Sequence, residues 1–141
     1  MIQIATTGIW KIDSNLNTVI KYTTNAEKTE NYEYKGYQDL HKVIDYIEAS
    51  YKTEKQYYIT GINCNPQTAL EEMLITKEAF NKLGGIQGFH AFQSFKEDEV
   101  TPEQCHEIGV KLAKEMWGDR FELVVSTHLN TNHLHNHFVI N

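Results

Sequence analysis

The alternation of hydrophobic and polar positions along the chain predicts a mixture of strands and helices. Strand-like segments, rich in β-branched and aromatic residues, occupy 2–12, 55–64, 86–95, 120–129 and 133–141. Apolar residues at helical spacing predict helices over 15–25, 36–52, 66–85 and 101–119. The last two strands are joined by the short polar turn "NTN", which predicts an antiparallel hairpin. Together the elements predict an α+β fold, a mostly antiparallel β-sheet with helices packed on one face.

Two of the predicted helices carry clear signals at their ends. In the segment 101–119, Thr101 can cap the helix, Pro102 suits its first turn, and Gln104 completes a capping box. In the segment 66–85, Pro66 suits the first turn and the Gly-Gly pair that starts at Gly84 can end the helix. These signals predict where both helices begin and where the earlier one ends.

The composition is that of a single folded domain without a broad basic surface. Hydrophobic residues make up 40% of the 141 positions and charged residues 23%, which favours a globular chain over a disordered one. The net charge is −6, and residues 61–141 hold six basic against eleven acidic residues. This balance argues against a broad phosphate-binding surface, so any nucleic-acid contact must be local or assisted by a metal ion.

The sequence also bears on location. It contains no run of about 18 apolar residues, and its N-terminus lacks the basic and then apolar stretches of a signal peptide. Cys64 and Cys105 lack metal or redox spacing, so we expect both to be reduced, partly buried thiols. These features predict a cytoplasmic protein with no membrane segment.

The end of the sequence concentrates histidine. Four of the seven histidines lie within ten residues, namely His128, His133, His135 and His137. Alternate side chains of a strand share one face, which predicts the last three imidazoles at intervals of about 6.5–7 Å, and the turn brings His128 back toward them. Imidazole is a common metal ligand, so the cluster predicts a divalent metal site, with ordinary polar residues beside a core as the alternative. Zinc, manganese, nickel and cobalt suit such ligands, and magnesium suits them less well.

Three segments resemble the motifs of one known family. "THLNTNHLHNHFVIN" (127–141) resembles the third motif of the relaxase (mobilization nuclease) family, the HUH endonucleases of plasmids and mobile elements. "VIKYTTNAEKT" (19–29) resembles its first motif, and "GFHAFQSF" (88–95) opens a segment that resembles its second. The resemblance implies an enzyme that nicks one DNA strand at an origin of transfer for conjugative mobilization, with accessory mobilization proteins. It also implies that residues 1–141 are the N-terminal portion of a relaxase domain in a longer polypeptide.

The resemblance implies that Tyr22 is the catalytic nucleophile, which forms a 5′-phosphotyrosyl link with DNA. The chemistry of the residues alone does not choose between Tyr22, Tyr32, Tyr34 and Tyr37. A phenol has a pKa near 10, so its attack needs deprotonation or strong charge stabilisation. A divalent ion on a nonbridging phosphate oxygen supplies that stabilisation.

The remaining site residues also follow from the resemblance. The implied metal ligands are His128, His135 and His137, with His133 as an alternative ligand. The implied ion is Mg or Mn, with Zn, Ni or Co as alternatives. The implied DNA contacts, with a transfer-origin single strand or supercoiled duplex, are Ser94, Lys28 and Thr29. Many relatives have Asp where this sequence has Asn130, which puts hydrogen-bond support of the ligands in question.

Other classes of protein remain open. In a rolling-circle initiator or transposase the tyrosine usually follows the histidine pair, whereas here Tyr22 precedes it. A metal-dependent hydrolase or cupin-like oxygenase could use a His-x-His strand but normally adds a carboxylate ligand, and four residues follow His137 here. A non-catalytic metal- and DNA-binding fragment is a further alternative. We expect Trp10, Trp117 and His90 to be interior side chains rather than parts of a site.

Overall fold

A computed structural model describes residues 5–13, 15–25, 58–129 and 131–141 of the chain. The helix predicted over 36–52 lies outside these ranges, as do Lys28, Thr29, Asn130, Tyr32, Tyr34 and Tyr37. The described elements, in chain order, are β1 (Thr6–Ile12), α1 (Leu16–Thr23), β2 (Ile59–Ile62), α2 (Ala69–Ala79), β3 (Gly88–Ser94), α3 (Pro102–Trp117), β4 (Leu123–His128) and β5 (His135–Ile140). Every strand and helix predicted within the described ranges is therefore present.

The five strands form one sheet in the order β1-β3-β5-β4-β2, and each neighbouring pair is antiparallel. The predicted α+β fold and the hairpin of β4 and β5 are confirmed. In the hairpin, His128 pairs with His135, and β3 places Ser94 beside His135 on the other side of β5. The strands that carry His128, His135 and His137 thus lie inside the sheet that the described residues form, with a neighbouring strand on each side.

Helices cover both faces of the sheet, so the prediction that they pack on one face is wrong. Val124 and Val139 pack against Leu16 of α1 and Met73 of α2, whereas alternate residues of the same strands pack on the other face against α3. The reason is that β4 and β5 each carry consecutive apolar residues, which point to both faces. All six residues of β4 are buried, and a strand of this kind needs cover on each side.

The predicted start is correct for α3, whereas both predicted ends are wrong for α2. At α3 the predicted capping box is present: the backbone N–H of Gln104 donates to Thr101 Oγ1 at 3.2 Å, and that of Thr101 donates to Gln104 Oε1 at 3.0 Å. For α2 both predicted ends are wrong, because the helix begins at Ala69 and ends at Ala79. Asn81 has a left-handed backbone with φ 58°, which closes the helix before Gly84 is reached.

Among the residues that the structure describes, no helix has the length and apolar character needed to cross a membrane. Cys64 and Cys105 are free thiols, as predicted, with Cys64 half-buried and Cys105 buried. Burial raises the pKa of Cys64 to about 11 and that of Cys105 to about 12. Both thiols are therefore protonated near neutral pH, which makes them weak nucleophiles.

Candidate metal centre and active site

Three imidazoles converge on the face of the sheet that also packs α1. His128 ends β4, and His135 and His137 lie on β5, so the strand register sets them side by side. One potential ligand nitrogen from each of the three lies within 4.8 Å of the others, and their ring centroids are 4.2–5.0 Å apart. His128 and His137 are buried and His135 is half-buried. Three neutral imidazoles around one point can hold a divalent ion and leave positions for other ligands.

Backbone carbonyls set the tautomers of two of these imidazoles. His128 Nε2 lies 2.9 Å from the Thr23 carbonyl oxygen, and His135 Nδ1 lies 2.9 Å from the His133 carbonyl oxygen. A carbonyl only accepts hydrogen bonds, so both of these nitrogens carry the proton. Nδ1 of His128 and Nε2 of His135 are thereby left with a lone pair, as a metal ligand requires. The donor set therefore fits a divalent ion.

The third imidazole is held by another histidine. His137 Nδ1 lies 2.7 Å from Nε2 of His90, which comes from the neighbouring strand β3. Burial lowers the pKa of His90, which favours its neutral form and thus an acceptor nitrogen. A His137 that binds metal through Nε2 would donate its Nδ1–H to His90. His90 is buried, as expected, but it contacts the site, which the sequence prediction missed.

Tyr22 lies beside the histidine triad formed by His128, His135 and His137. It occupies the last turn of α1, and its ring centroid is 5.8 Å from that of His128 and 5.9 Å from that of His137. Its side chain is 48% exposed, so its hydroxyl-bearing ring is open to a ligand from solvent. The next residue, Thr23, supplies the carbonyl that accepts from His128. The structure thus brings the predicted nucleophile and the predicted metal ligands together.

His133 lies apart from the triad. β5 begins at His135, so His133 precedes the strand instead of lying in it, although it lines the same cavity as His135 and His137. Its side chain is exposed, and its Nδ1 lies 3.2 Å from the carbonyl oxygen of Phe95. Among the described residues, the histidines grouped at metal-binding distance are the other three.

Ser94 lies at the rim of the same site. It is the last residue of β3 and pairs in register with His135. A cavity of about 370 Å³ opens here. The cavity is lined by Trp10, Tyr22, Phe92, Ser94, Thr131, His133, His135 and His137. Ser94 thus faces the same space as Tyr22 and two members of the triad.

The opposite face of β5 is fixed by a buried hydrogen-bond network. Asn136, between the two histidines of β5, donates from Nδ2 to Gln93 Oε1 at 3.0 Å and to the Cys105 carbonyl oxygen at 2.8 Å. Its Oδ1 accepts from Thr127 Oγ1 at 2.5 Å. Gly109 of α3 lies so close that an added Cβ would stand 2.5 Å from Asn136 Nδ2. The sequence prediction missed Asn136, although its position between two candidate ligands was a usable signal.

His106 of α3 extends this network toward β2. Its Nδ1 is 2.8 Å from Thr127 Oγ1 and its Nε2 is 2.7 Å from Thr60 Oγ1. Because the Thr127 hydroxyl donates to Asn136, Nδ1 of His106 is the nitrogen that donates to Thr127. Burial lowers the pKa of His106 to about 4, so this imidazole is neutral near neutral pH. The network therefore consists of uncharged groups.

Comparison with known proteins identifies the family of the chain. A profile of the relaxase nuclease domain described as MobA/VirD2-like matches residues 46–141, and this match covers more than half of the chain. The protein therefore belongs to the MobA/VirD2-like relaxase family, which confirms the resemblance found in its motifs. The histidine triad lies inside the matched range, whereas Tyr22 lies before it.

The similar curated proteins include one that is named as a relaxase. The chain is 31% identical to the group II intron-interrupted relaxase LtrB of Lactococcus lactis subsp. cremoris. This alignment spans 133 residues, which are 92% of this chain and 23% of that protein. The chain is also 40% identical to a protein rlx of Staphylococcus aureus. This alignment spans 82 residues, which are 58% of this chain and 24% of that protein. The chain thus spans about a quarter of the length of these curated relatives. No solved structure matches it.

Proposed function

We propose that this chain carries the active site of a relaxase that nicks one strand of DNA at an origin of transfer, for conjugative mobilization. The observation that supports the proposal is the position of Tyr22 beside the histidine triad. Tyr22 and two of the triad histidines, His135 and His137, are far apart in the sequence but line one open cavity, which a packing role does not explain. Family membership supports the same reaction class.

In the proposed reaction, His128, His135 and His137 would hold a divalent ion. When bound, such an ion would draw charge from a nonbridging oxygen of the scissile phosphate. Tyr22 Oη attacks phosphorus, so that an Oη–P bond forms while the bond from phosphorus to the 3′ oxygen breaks. The phenol loses its proton to solvent and the 3′ oxygen gains one. One phosphodiester is exchanged for another, so the strand can later be rejoined.

The donor set bears on the metal. Three imidazole nitrogens suit manganese, zinc, nickel or cobalt better than magnesium, which prefers oxygen ligands. Phosphate oxygens of the DNA would add such ligands, and we therefore propose Mn or Mg as the ion that supports nicking. Zinc, nickel and cobalt are proposed as ions that bind to the same nitrogens.

Further residues have proposed roles in the same site. Ser94 faces the cavity and is proposed to contact DNA near the scissile phosphate. Lys28 and Thr29 are proposed as phosphate contacts on the basis of the first motif. DNA and accessory mobilization proteins are the proposed partners.

The test is formation of a covalent complex with DNA. The chain is incubated with Mn²⁺ and a labelled single strand from its cognate transfer origin, and adducts are resolved on a denaturing gel. We expect a slow-migrating adduct from the unaltered chain and none from Tyr22→Phe. Tyr58→Phe is the matched control, because Tyr58 is a buried tyrosine that packs against His106. An adduct that persists in Tyr22→Phe would refute the nucleophile assignment.

The same variants separate the alternative functions. A metal-dependent hydrolase would cleave DNA without an adduct and would be indifferent to Tyr22→Phe. A non-catalytic module would bind metal and DNA but leave the strand intact. His135→Ala should remove most of the Mn²⁺ affinity measured by titration calorimetry in the absence of DNA. Unchanged affinity in that variant would argue against the triad as the metal site.

A further inference from the structure

Two aromatic side chains stand together beside the triad, on the same face of the sheet. Trp10 pairs with His90 across β1 and β3, and Phe92 pairs with Gly8 in the same register. The ring centroids of Trp10 and Phe92 are 5.9 Å apart, and that of Trp10 is 4.5 Å from His90. A Cβ on Gly8 would meet the Phe92 ring, so a glycine at this position is what allows that ring to lie over β1.

Trp10 is not an interior side chain, so its prediction as one is wrong. Its side chain is 47% exposed. The prediction for Trp117 is confirmed, because this last residue of α3 is half-buried and packs against Phe138 of β5. β1 is at the edge of the sheet that the described residues form, and α1 and α2 pack over the centre of this face around Val124 and Val139. Large aromatic surface left open beside a site often marks contact with a ligand.

The position of this aromatic pair indicates its ligand. Trp10 and Phe92 line the same cavity as Tyr22 and His137. Under the proposed function that cavity receives the scissile phosphate, and a nucleotide that places its phosphate at the triad must place its base nearby. The chain as a whole carries a net charge of −6, so it has little general attraction for phosphates. Stacking of bases on aromatic rings supplies affinity that does not depend on net charge.

We propose that Trp10 and Phe92 form a stacking platform for an unpaired base of single-stranded DNA, next to the scissile phosphate. The inference rests on the proposed function for the identity of the ligand. A π-stacked base is held without reading its edges, so the platform would tolerate different bases. It would fix the position of the strand, and thereby present phosphorus to Tyr22.

The test separates stacking from backbone contacts. The probes are labelled oligothymidylate of about 16 nucleotides, within the range bound by single-strand domains, and an abasic chain with the same number of phosphates. Affinities are measured by fluorescence anisotropy in EDTA, so that no nicking occurs. We expect Trp10→Ala to weaken binding of oligothymidylate by about 5- to 150-fold, which corresponds to about 1–3 kcal/mol. Trp10→Phe should retain most of the affinity, and the abasic chain should bind all variants equally weakly.

Ile9→Ala is the matched control. Ile9 is 54% exposed and precedes Trp10 on the same strand, so its side chain points to the opposite face of the sheet. It should leave the affinity for oligothymidylate unchanged. A second measurement needs no change at Trp10: in a Trp117→Phe chain, Trp10 is the remaining tryptophan, and oligothymidylate should quench its fluorescence. Far-ultraviolet circular dichroism of each variant shows that it is folded.

The proposal is overturned if Trp10→Ala binds oligothymidylate as tightly as the unaltered chain does. It is also overturned if the abasic chain binds equally well, or if Trp10 fluorescence is unchanged at saturation. Trp10 fluorescence that changes with protein concentration in the absence of DNA would indicate that Trp10 and Phe92 contact a second copy of the chain. That result would also overturn the proposal. The binding assay does not depend on nicking, so the two proposals can fail separately. If the unaltered chain forms no adduct but Trp10 still stacks on oligothymidylate, the proposed reaction is refuted and the stacking platform is not.

Discussion

Replacement of Asn136 by alanine gives a direct measure of how the triad is held. The substitution removes four hydrogen bonds from the fully buried face of β5, one of them a long donation from Cys105 Sγ. A buried polar group left without a partner costs about 1–3 kcal/mol. Gln93 Oε1 and the Cys105 carbonyl each lose a donor, whereas the Thr127 hydroxyl keeps its bond to His106. We therefore expect the free energy of unfolding to fall by about 3–5 kcal/mol.

This loss is a large share of the roughly 5–15 kcal/mol that stabilises a typical domain. It can be measured by urea unfolding followed by circular dichroism. Asn132→Ala is the matched control, because Asn132 is an exposed residue in the turn of the same hairpin, and a change within about 0.5 kcal/mol is expected there. We also expect weaker Mn²⁺ binding by Asn136→Ala under conditions where it is folded, since Asn136 fixes the strand between two ligands. A loss of stability below about 1 kcal/mol would refute the reasoning.

Two further predictions concern histidines outside the triad. His90→Ala should weaken Mn²⁺ binding by about 10- to 100-fold, because His137 loses the group that orients it. His90→Gln should restore part of that affinity, since its amide oxygen can accept the same bond; equal affinities of all three proteins in calorimetry would contradict this role. His106 has a pKa lowered to about 4 in the folded chain, against about 6.5 when unfolded. Protons therefore bind preferentially to the unfolded chain between these values, and unfolding free energy should drop by up to about 3 kcal/mol as pH falls from about 6.5 to 4. His106→Gln should lack this component in urea unfolding at each pH, and an identical pH profile would argue against it.

Local signals in the sequence predicted much of this structure. The capping box at Thr101 and Gln104 predicted where α3 begins, because both hydrogen bonds join residues three positions apart. The alternation of His135 and His137 predicted two ligands on one face, because successive side chains of a strand point to opposite faces. Tyr22 could be singled out by its resemblance to a motif, and not by chemistry alone.

Features set by long-range pairing could not be predicted. Nothing near His90 in the sequence indicates that β3 lies beside β5, and that neighbourhood creates its contact with His137. The same applies to Trp10, which is exposed on β1, the outermost strand on that side among the five that the structure describes. The ends of α2 were missed for a local reason, since Asn81 adopts a left-handed backbone that asparagine tolerates better than most residues do.

The carbonyl of Thr23 joins the last turn of α1 to an imidazole of the triad. Since Tyr22 precedes Thr23 in that turn, a rotation of His128 away from its acceptor would disturb the phenol as well. Occupancy of the triad and placement of the phenol are then thermodynamically linked. Under the proposed function, reciprocity requires that DNA bound against Tyr22 change the affinity for the cation by the same factor by which the cation changes the affinity for DNA.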